Sequence, residues 1–239
     1  HARRIVEVKA MASYIKCGQL FCAKDDAVLK DMAVVIEGNR IIEVAPMAEC
    51  PPREGQEVID LSGKFVMPGL IDAHLHTGMS GEPDTTQCMY YQRDGELALI
   101  SMLNAQQDLL AGFTTVRDEG SFHFIDLDLK KMIDSGRVFG PRMFVSGVPL
   151  SSTGGHGDSH FKPGITGGSM AFIVNSPDEC RAATRTNIKY GVDQIKLMAT
   201  GGVMSMGDEP GAPELTYEEM KVICDLAASH GKLTTAHAH

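Results

Sequence analysis

Polar and apolar positions over residues 5–67 follow a period of two. "SYIKCGQLFC" alternates, and "DMAVVIEGNRIIEVA" holds two apolar runs around Gly38-Asn39. "QEVIDLSGKFVMP" closes the region at Pro68. Alternation predicts half-buried strands, and two runs split by Gly-Asn predict a hairpin. The expected product is a small antiparallel β-sandwich module over residues 1–67.

After Pro68 the period changes. Short apolar runs at Gly69–Ala73, Thr114–Arg117, Met143–Val145, Ile195–Met198 and Leu233–Ala236 alternate with helical patterns. The helical segments are "DGELALISMLNAQQDLLAG", "FIDLDLKKMIDSG", "SPDECRAATRTNIKYG" and "TYEEMKVICDLAASHG". Ser176 with Glu179, and Thr216 with Glu219, have the spacing of capping boxes. Pro177 suits a first helical position, where no N–H is needed. Gly112, Gly136, Gly191 and Gly231 close the four patterns as C-terminal caps. Strand and helix in alternation predict a parallel sheet. Connections after the helices are short, whereas those after the strands are long and rich in Gly, His and Asp. Long loops at the C-terminal ends of parallel strands are where a (β/α)8 barrel builds its active site. Residues 68–239 therefore read as α/β, an incomplete (β/α)8 TIM-type barrel of about five βα units.

Composition narrows the function classes. The chain has 239 residues, 43% hydrophobic and 22% charged, with a net charge of −9. That balance repels nucleic acid and anionic membranes, so neither is an expected partner. No run approaches the roughly 18 apolar residues of a membrane-spanning helix. The six cysteines, Cys17, Cys22, Cys50, Cys88, Cys180 and Cys224, form no C-x-x-C pair and read as reduced thiols. With no apolar leader in "HARRIVEVKA", a cytoplasmic location is expected. The missing initiator Met fits removal of upstream residues.

Histidines at strand ends carry the candidate chemistry. His74 and His76, in "PGLIDAHLH", share a face of what reads as a buried strand, since period two aims alternate residues alike. Their backbones are then about 6–7 Å apart, close enough to converge on one metal. His237 and His239 repeat H-x-H in "TTAHAH"; each alone also fits a satisfied core histidine. Lys196, in "DQIKLMATGGV", lies inside an apolar strand. Burial favours its neutral amine, which can take up CO2 and become a carbamate able to bridge two divalent metals. The alternative is an ammonium paired with a carboxylate such as Asp118. His156, in "STGGHGDSH", reads either as a substrate-facing group or as an ordinary polar loop residue.

"PGLIDAHLH", "GFTTVRD", "GGHGD", "IKLMATGGV" and "HAH", in that order, resemble the metal-dependent amidohydrolase superfamily. Within it they resemble the imidazolonepropionase-like and Xaa-Pro dipeptidase (prolidase-related) branch, from about Lys9 to the C-terminus. The resemblance implies two divalent ions, Zn2+ the expected identity, sharing a hydroxide and bridged by carboxylated Lys196. His74 and His76 would hold one metal and His237 the second. His239 would face substrate or support the ligands. His156 would polarise the scissile carbonyl or hold a carboxylate, and Arg117 and Asp118 would orient the site. The implied reaction is hydrolysis of amide or peptide bonds in small substrates: dipeptides such as Xaa-Pro or Xaa-Arg/Lys, or N-acyl amino acids. The rivals are a mononuclear imidazolonepropionase or deaminase-type enzyme and a non-catalytic barrel relic or scaffold. Relatives carry a further metal-binding His on a sixth strand and an Asp on an eighth, and their tail completes the β-sandwich. Residues 1–239 hold neither, so the chain reads as a fragment. It is expected to form a homo-oligomer or to pair with the remainder of a barrel, and not to act as an active monomer.

Overall fold

The computed structural model describes residues 12–81, 91–159, 162, 164, 168–203, 205 and 208–239. It divides into two compact units, His1–Pro68 and Gly69–His239. The part of the N-terminal pattern at 5–11, Cys88 and parts of two long loops lie outside the described residues.

The first unit holds β1 (Ser13–Phe21), β2 (Val28–Glu37), β3 (Arg40–Pro46) and β4 (Glu57–Val66). The expected hairpin forms at Gly38-Asn39, where Gly38 takes φ +60° and β2 pairs antiparallel with β3. Among the described residues the module is not wholly antiparallel. It is one four-stranded sheet in the order β3-β2-β1-β4, and β4 lies parallel to β1. The segment 47–56 carries the chain across the sheet, which lets β4 enter in the same direction as β1. Tyr14, Ala33, Val35 and Cys50 form its main core. The Tyr14 hydroxyl donates to the Cys50 carbonyl at 2.6 Å, which satisfies the one polar tip that burial would otherwise strand.

The second unit alternates strand and helix. Its elements are β5 (Leu70–Leu75), α1 (Asp94–Leu110), β6 (Phe113–Asp118), α2 (Ile125–Asp134), β7 (Arg142–Val145), β8 (Leu150–Ser151), β9 (Phe172–Ile173), α3 (Pro177–Tyr190), β10 (Gln194–Met198), α4 (Tyr217–Ser229) and β11 (Leu233–His237). Every strand pairing among them is parallel. The sheets run β5-β6-β7 and β11-β10-β8-β9. Asp193 links the two: its N–H donates to Val145 O at 2.8 Å, and its carboxylate accepts from Val145 N–H at 3.0 Å. The five apolar runs read from the sequence thus all form strands, three in one parallel sheet and two in the other, and β8 and β9 are short additions inside the long loop after β7.

The helices end where glycine allows. Gly112, Gly136, Gly191 and Gly231 all have φ between +67° and +106°, the left-handed conformation that closes a helix. Thr216 and Glu219 make the full reciprocal box. Ser176 accepts from Glu179 N–H, but the Glu179 carboxylate turns outward to Asn175 N–H at 2.6 Å, so that box is half formed.

Burial is uneven across the strands. β10 is buried at every position, Lys196 included, and packs through Ile195 and Leu197 onto α3 and α4. β5 does not behave as a buried strand: most of its residues are exposed. It is the edge strand of its sheet, with β6 as its neighbour on one side. Cys17, Cys22, Cys50, Cys180 and Cys224 are all unbridged. No helix among the described residues is long and apolar enough to cross a membrane.

Candidate metal and substrate site

The candidate residues lie at the C-terminal ends of parallel strands or just beyond them. His74 is the last residue but one of β5, and His76 follows the strand. Asp118 ends β6. His156 sits in the loop after β8. His237 ends β11 and His239 is two residues on. Lys196 is the exception, at the centre of β10.

The β5 end is fastened to β6 by Asp118. This fully buried carboxylate accepts from Thr77 N–H at 3.1 Å, from the Thr77 hydroxyl at 2.6 Å and from Gly120 N–H at 3.1 Å. Burial raises its pKa above the usual carboxylate value, opposed by nearby His76 and by these donors. His76 Nδ1 lies 3.0 Å from Gly120 O. Donation to that carbonyl places the ring proton on Nδ1 and leaves Nε2 as the free donor atom, the usual arrangement behind a metal-ligating histidine. The His74 and His76 rings stand edge to face, 5.6 Å apart.

A second knot joins three strands around Glu119, which sequence reading passed over. Its side chain is 1% exposed and gathers Arg117 Nε at 2.7 Å, Gln194 Nε2 at 3.1 Å and the Thr235 hydroxyl. Lys196 Nζ lies 3.9 Å away, its side chain 2% exposed. The buried lysine therefore faces Glu119, and not Asp118, as its carboxylate. Burial pulls the Lys196 pKa down, Glu119 pushes it up and Arg117 pulls it down. The only sequence sign of Glu119 was a third charged residue in "VRDEG" after an apolar strand.

The third group is a histidine cluster. His156 stacks on His237 with ring centres 4.6 Å apart, and His237 Nε2 lies 2.9 Å from His239 Nε2. His156 Nδ1 lies 2.6 Å from the Ser205 hydroxyl and 3.8 Å from Asp208. Glu214 holds the loop that carries it, accepting from His156 N–H at 2.9 Å, from Ser152 N–H at 2.8 Å and from the Ser151 hydroxyl. Gly202 makes room for the ring, because a Cβ there would sit 2.4 Å from His156 Cε1. Asp208 and Glu214 were also missed; both lie in an aperiodic loop, with no spacing to mark them.

Electrostatics couples the groups. Burial lowers the pKa of His74, His156 and His237, and Lys196 adds to the effect at each. His237 falls to about 4, from burial first and then from His156, Lys196, His239 and His74. Neutral imidazole is the form that binds metal. Among the described residues no three His, Cys, Asp or Glu side chains already surround one point as a metal cage. The donor set nonetheless fits a divalent ion in type: neutral imidazoles at strand ends, one with its second nitrogen tied to a carbonyl, beside a desolvated lysine.

A parallel β/α array with histidines at its strand ends is the framework against which known proteins can be compared. Residues 65–239 match the amidohydrolase family, and the chain belongs to it. Ochratoxinase of Aspergillus niger is 30% identical over 240 residues, covering 90% of this chain and 48% of its own length. A crystal structure of a Xaa-Pro dipeptidase with methionine bound in its active site superposes with TM-score 0.83 at 30% identity, covering 95% of this chain and 57% of that one. A prolidase complexed with N-methylphosphonate-L-proline superposes with TM-score 0.86 at 32% identity, covering 96% and 56%. The chain spans about half the length of the relatives it matches.

Proposed function

We propose that this chain supplies the metal-binding and substrate-facing half of a metal-dependent hydrolase. Its substrates would be small amides: dipeptides such as Xaa-Pro or Xaa-Arg/Lys, or N-acyl amino acids. The observation that carries the reading is the gathering of imidazoles at and just beyond strand ends, His74 beside His76 with ring centres 5.6 Å apart and His156 stacked on His237 at 4.6 Å, in a unit that also buries Lys196. The prolidase and ochratoxinase likenesses support the substrate class.

His74 and His76 would hold one divalent ion and His237 a second, with Lys196 between them as a carbamate; Zn2+ suits the imidazole donors. Bound there, such ions supply Lewis acidity and ionise water near neutral pH. The protein's own contribution is positioning and charge. Asp118 and Gly120 fix where His76 stands. Glu214 and Gly202 fix where His156 stands. With His156 Nδ1 engaged by Ser205 and Asp208, Nε2 is the nitrogen left to meet a substrate carbonyl or carboxylate. Carboxylation of the neutral Lys196 amine by CO2, with loss of one proton, would place an anion beside Glu119, and Arg117, 2.7 Å from Glu119, would be the counter-charge.

The test is metal content and turnover. The intact protein is expected to carry two ions per subunit, and Lys196→Ala to lose one together with most dipeptide hydrolysis. Unchanged metal content and kcat in Lys196→Ala would refute the bridging role. The Lys196–Glu119 pair favours one second reading, a mononuclear amidohydrolase of the imidazolonepropionase or deaminase type whose lysine stays an ammonium. A single ion per wild-type subunit would select it.

A further inference from the structure

Glu119 stands one residue past β6, and its two carboxylate oxygens reach different strands. Oε1 accepts from Gln194 Nε2 at 3.1 Å and lies 2.7 Å from Arg117 Nε. Oε2 accepts from the Thr235 hydroxyl and lies 3.9 Å from Lys196 Nζ. Arg117 Nε also donates to Ala73 O at 2.6 Å. Ala73 belongs to β5 and directly precedes His74.

The partners occupy one level of the array. Lys196 and Thr235 are opposite each other in the β10–β11 register. Gln194 precedes Lys196 by two residues, and Thr235 precedes His237 by two, so each pair shares a face of its strand. Glu119 therefore grips the layer just below the histidine ends. Through Arg117 it connects to His74, and through Gln194 and Thr235 to Lys196 and His237. These two groups stand in different sheets, β5-β6-β7 and β11-β10-β8-β9. A carboxylate only 1% exposed is costly to bury unless donors hold it, and here they come from β6, β10 and β11. Such charge-assisted contacts are short and directional, so they fix position as well as charge.

We infer that Glu119 is a positioning residue that holds the His74–His76 half of the site in fixed relation to the Lys196–His237 half. It acts through these side chains and not on the substrate. The inference rests on the two-ion hydrolase reading and adds to it the residue that registers the two halves. Partners behind metal ligands typically change metal affinity by roughly 10- to 100-fold when removed. The second ion depends most on Glu119, because it needs Lys196 and His237 placed against the first.

The experiment is calorimetric titration of the metal-free intact protein with Zn2+. Thr235→Val deletes the hydroxyl and keeps the side-chain shape, and Thr235→Ser keeps the hydroxyl. Glu119→Ala deletes every contact, and Glu119→Gln keeps hydrogen-bonding groups for Gln194 and Thr235. In Glu119→Ala and Thr235→Val the second ion is expected to bind about tenfold or more weakly, with the first changed by less than about threefold. Thr235→Ser and Glu119→Gln are expected to stay within about threefold of wild type for both ions. An unchanged second ion in Thr235→Val and Glu119→Ala would overturn the inference and leave the hydrolase reading in place. Equal weakening of both ions, the mark of a general loss of structure, would also overturn it. So would a Thr235→Ser protein as weak as Thr235→Val, or a Glu119→Gln protein as weak as Glu119→Ala. Should the Glu119 variants fail to fold, the Thr235 pair decides alone. A wild-type protein that binds one ion or none would overturn both the two-ion reading and this inference.

Discussion

Single residues set the geometry of His156. Its ring occupies space that exists because residue 202 has no side chain: a Cβ would meet ring atoms at 2.4 Å. Gly202→Ala must displace the ring, and displacements of about 1 Å near a reacting centre cost roughly 100-fold in rate. Substrate turnover is therefore expected to fall by at least about tenfold in Gly202→Ala while circular dichroism stays that of the wild type. Full activity in a folded Gly202→Ala protein would remove His156 from the site. Asp126 makes a separate case. It is fully buried, and burial, reinforced by Asp118, lifts its pKa to about 8 against the donors Gly147 and Leu127. An unfolded Asp titrates near 3.9. The folded state therefore holds the extra proton between about pH 4 and 8. The stability this gives is complete below pH 4 and is lost as pH rises through 8. Thermal melts should show Tm falling from pH 5 to 8, and Asp126→Asn should flatten that fall. Parallel Tm–pH curves for the two proteins would contradict the assignment.

Elements were the most legible level in the sequence, because each helix carries its own punctuation. Cap residues at α3 and α4, terminal glycines after all four helices and apolar spacing act locally, so these helices could be placed from nearby residues. The Thr216–Glu219 box is the clearest: both hydrogen bonds form as the spacing implies. Its removal in Thr216→Ala should cost about 1 kcal/mol, seen as a lower urea midpoint with unchanged slope; an unchanged midpoint would show that the box adds nothing. What could not be read was pairing. The parallel entry of β4 depends on how the segment 47–56 crosses the sheet, and nothing in its composition encodes that path. The two-residue β8 and β9 are too short to leave a period. The same limit applied to the site. His74, His76, Lys196 and His237 stand in strands or at their ends, where alternation assigns a face. Glu119, Asp208 and Glu214 gain their roles only from neighbours far along the chain, such as Thr235 opposite Glu119 and Ser151 opposite Glu214. The reading of β5 as buried failed for a related reason: an apolar run states what a strand prefers, not whether a neighbour covers it.

At the scale of the whole molecule, the two parallel sheets of the second unit have four strands with one neighbour each, β5, β7, β9 and β11, and β5 and β11 are the first and last strands of that unit. Edge strands present unpaired N–H and C=O groups and readily recruit further strands. These two also carry exposed apolar side chains, Ile71 at 69% and Leu233 at 74% of full exposure. Neither edge shows the lysines or prolines that proteins use to discourage pairing: β5 reads LIDAHL and β11 reads LTTAH. We therefore expect this 239-residue chain, taken by itself, to associate with copies of itself. Light scattering coupled to size exclusion should give a mass of at least twice the 25.8 kDa of one chain. Replacing Ile71 and Leu233 with lysine should shift the population toward monomer, because a charge on an edge disfavours strand addition without touching the buried β10 core. A wild-type chain that runs as a monomer at tens of micromolar would refute the expectation. A variant that keeps the wild-type mass would move the contact away from these two edges.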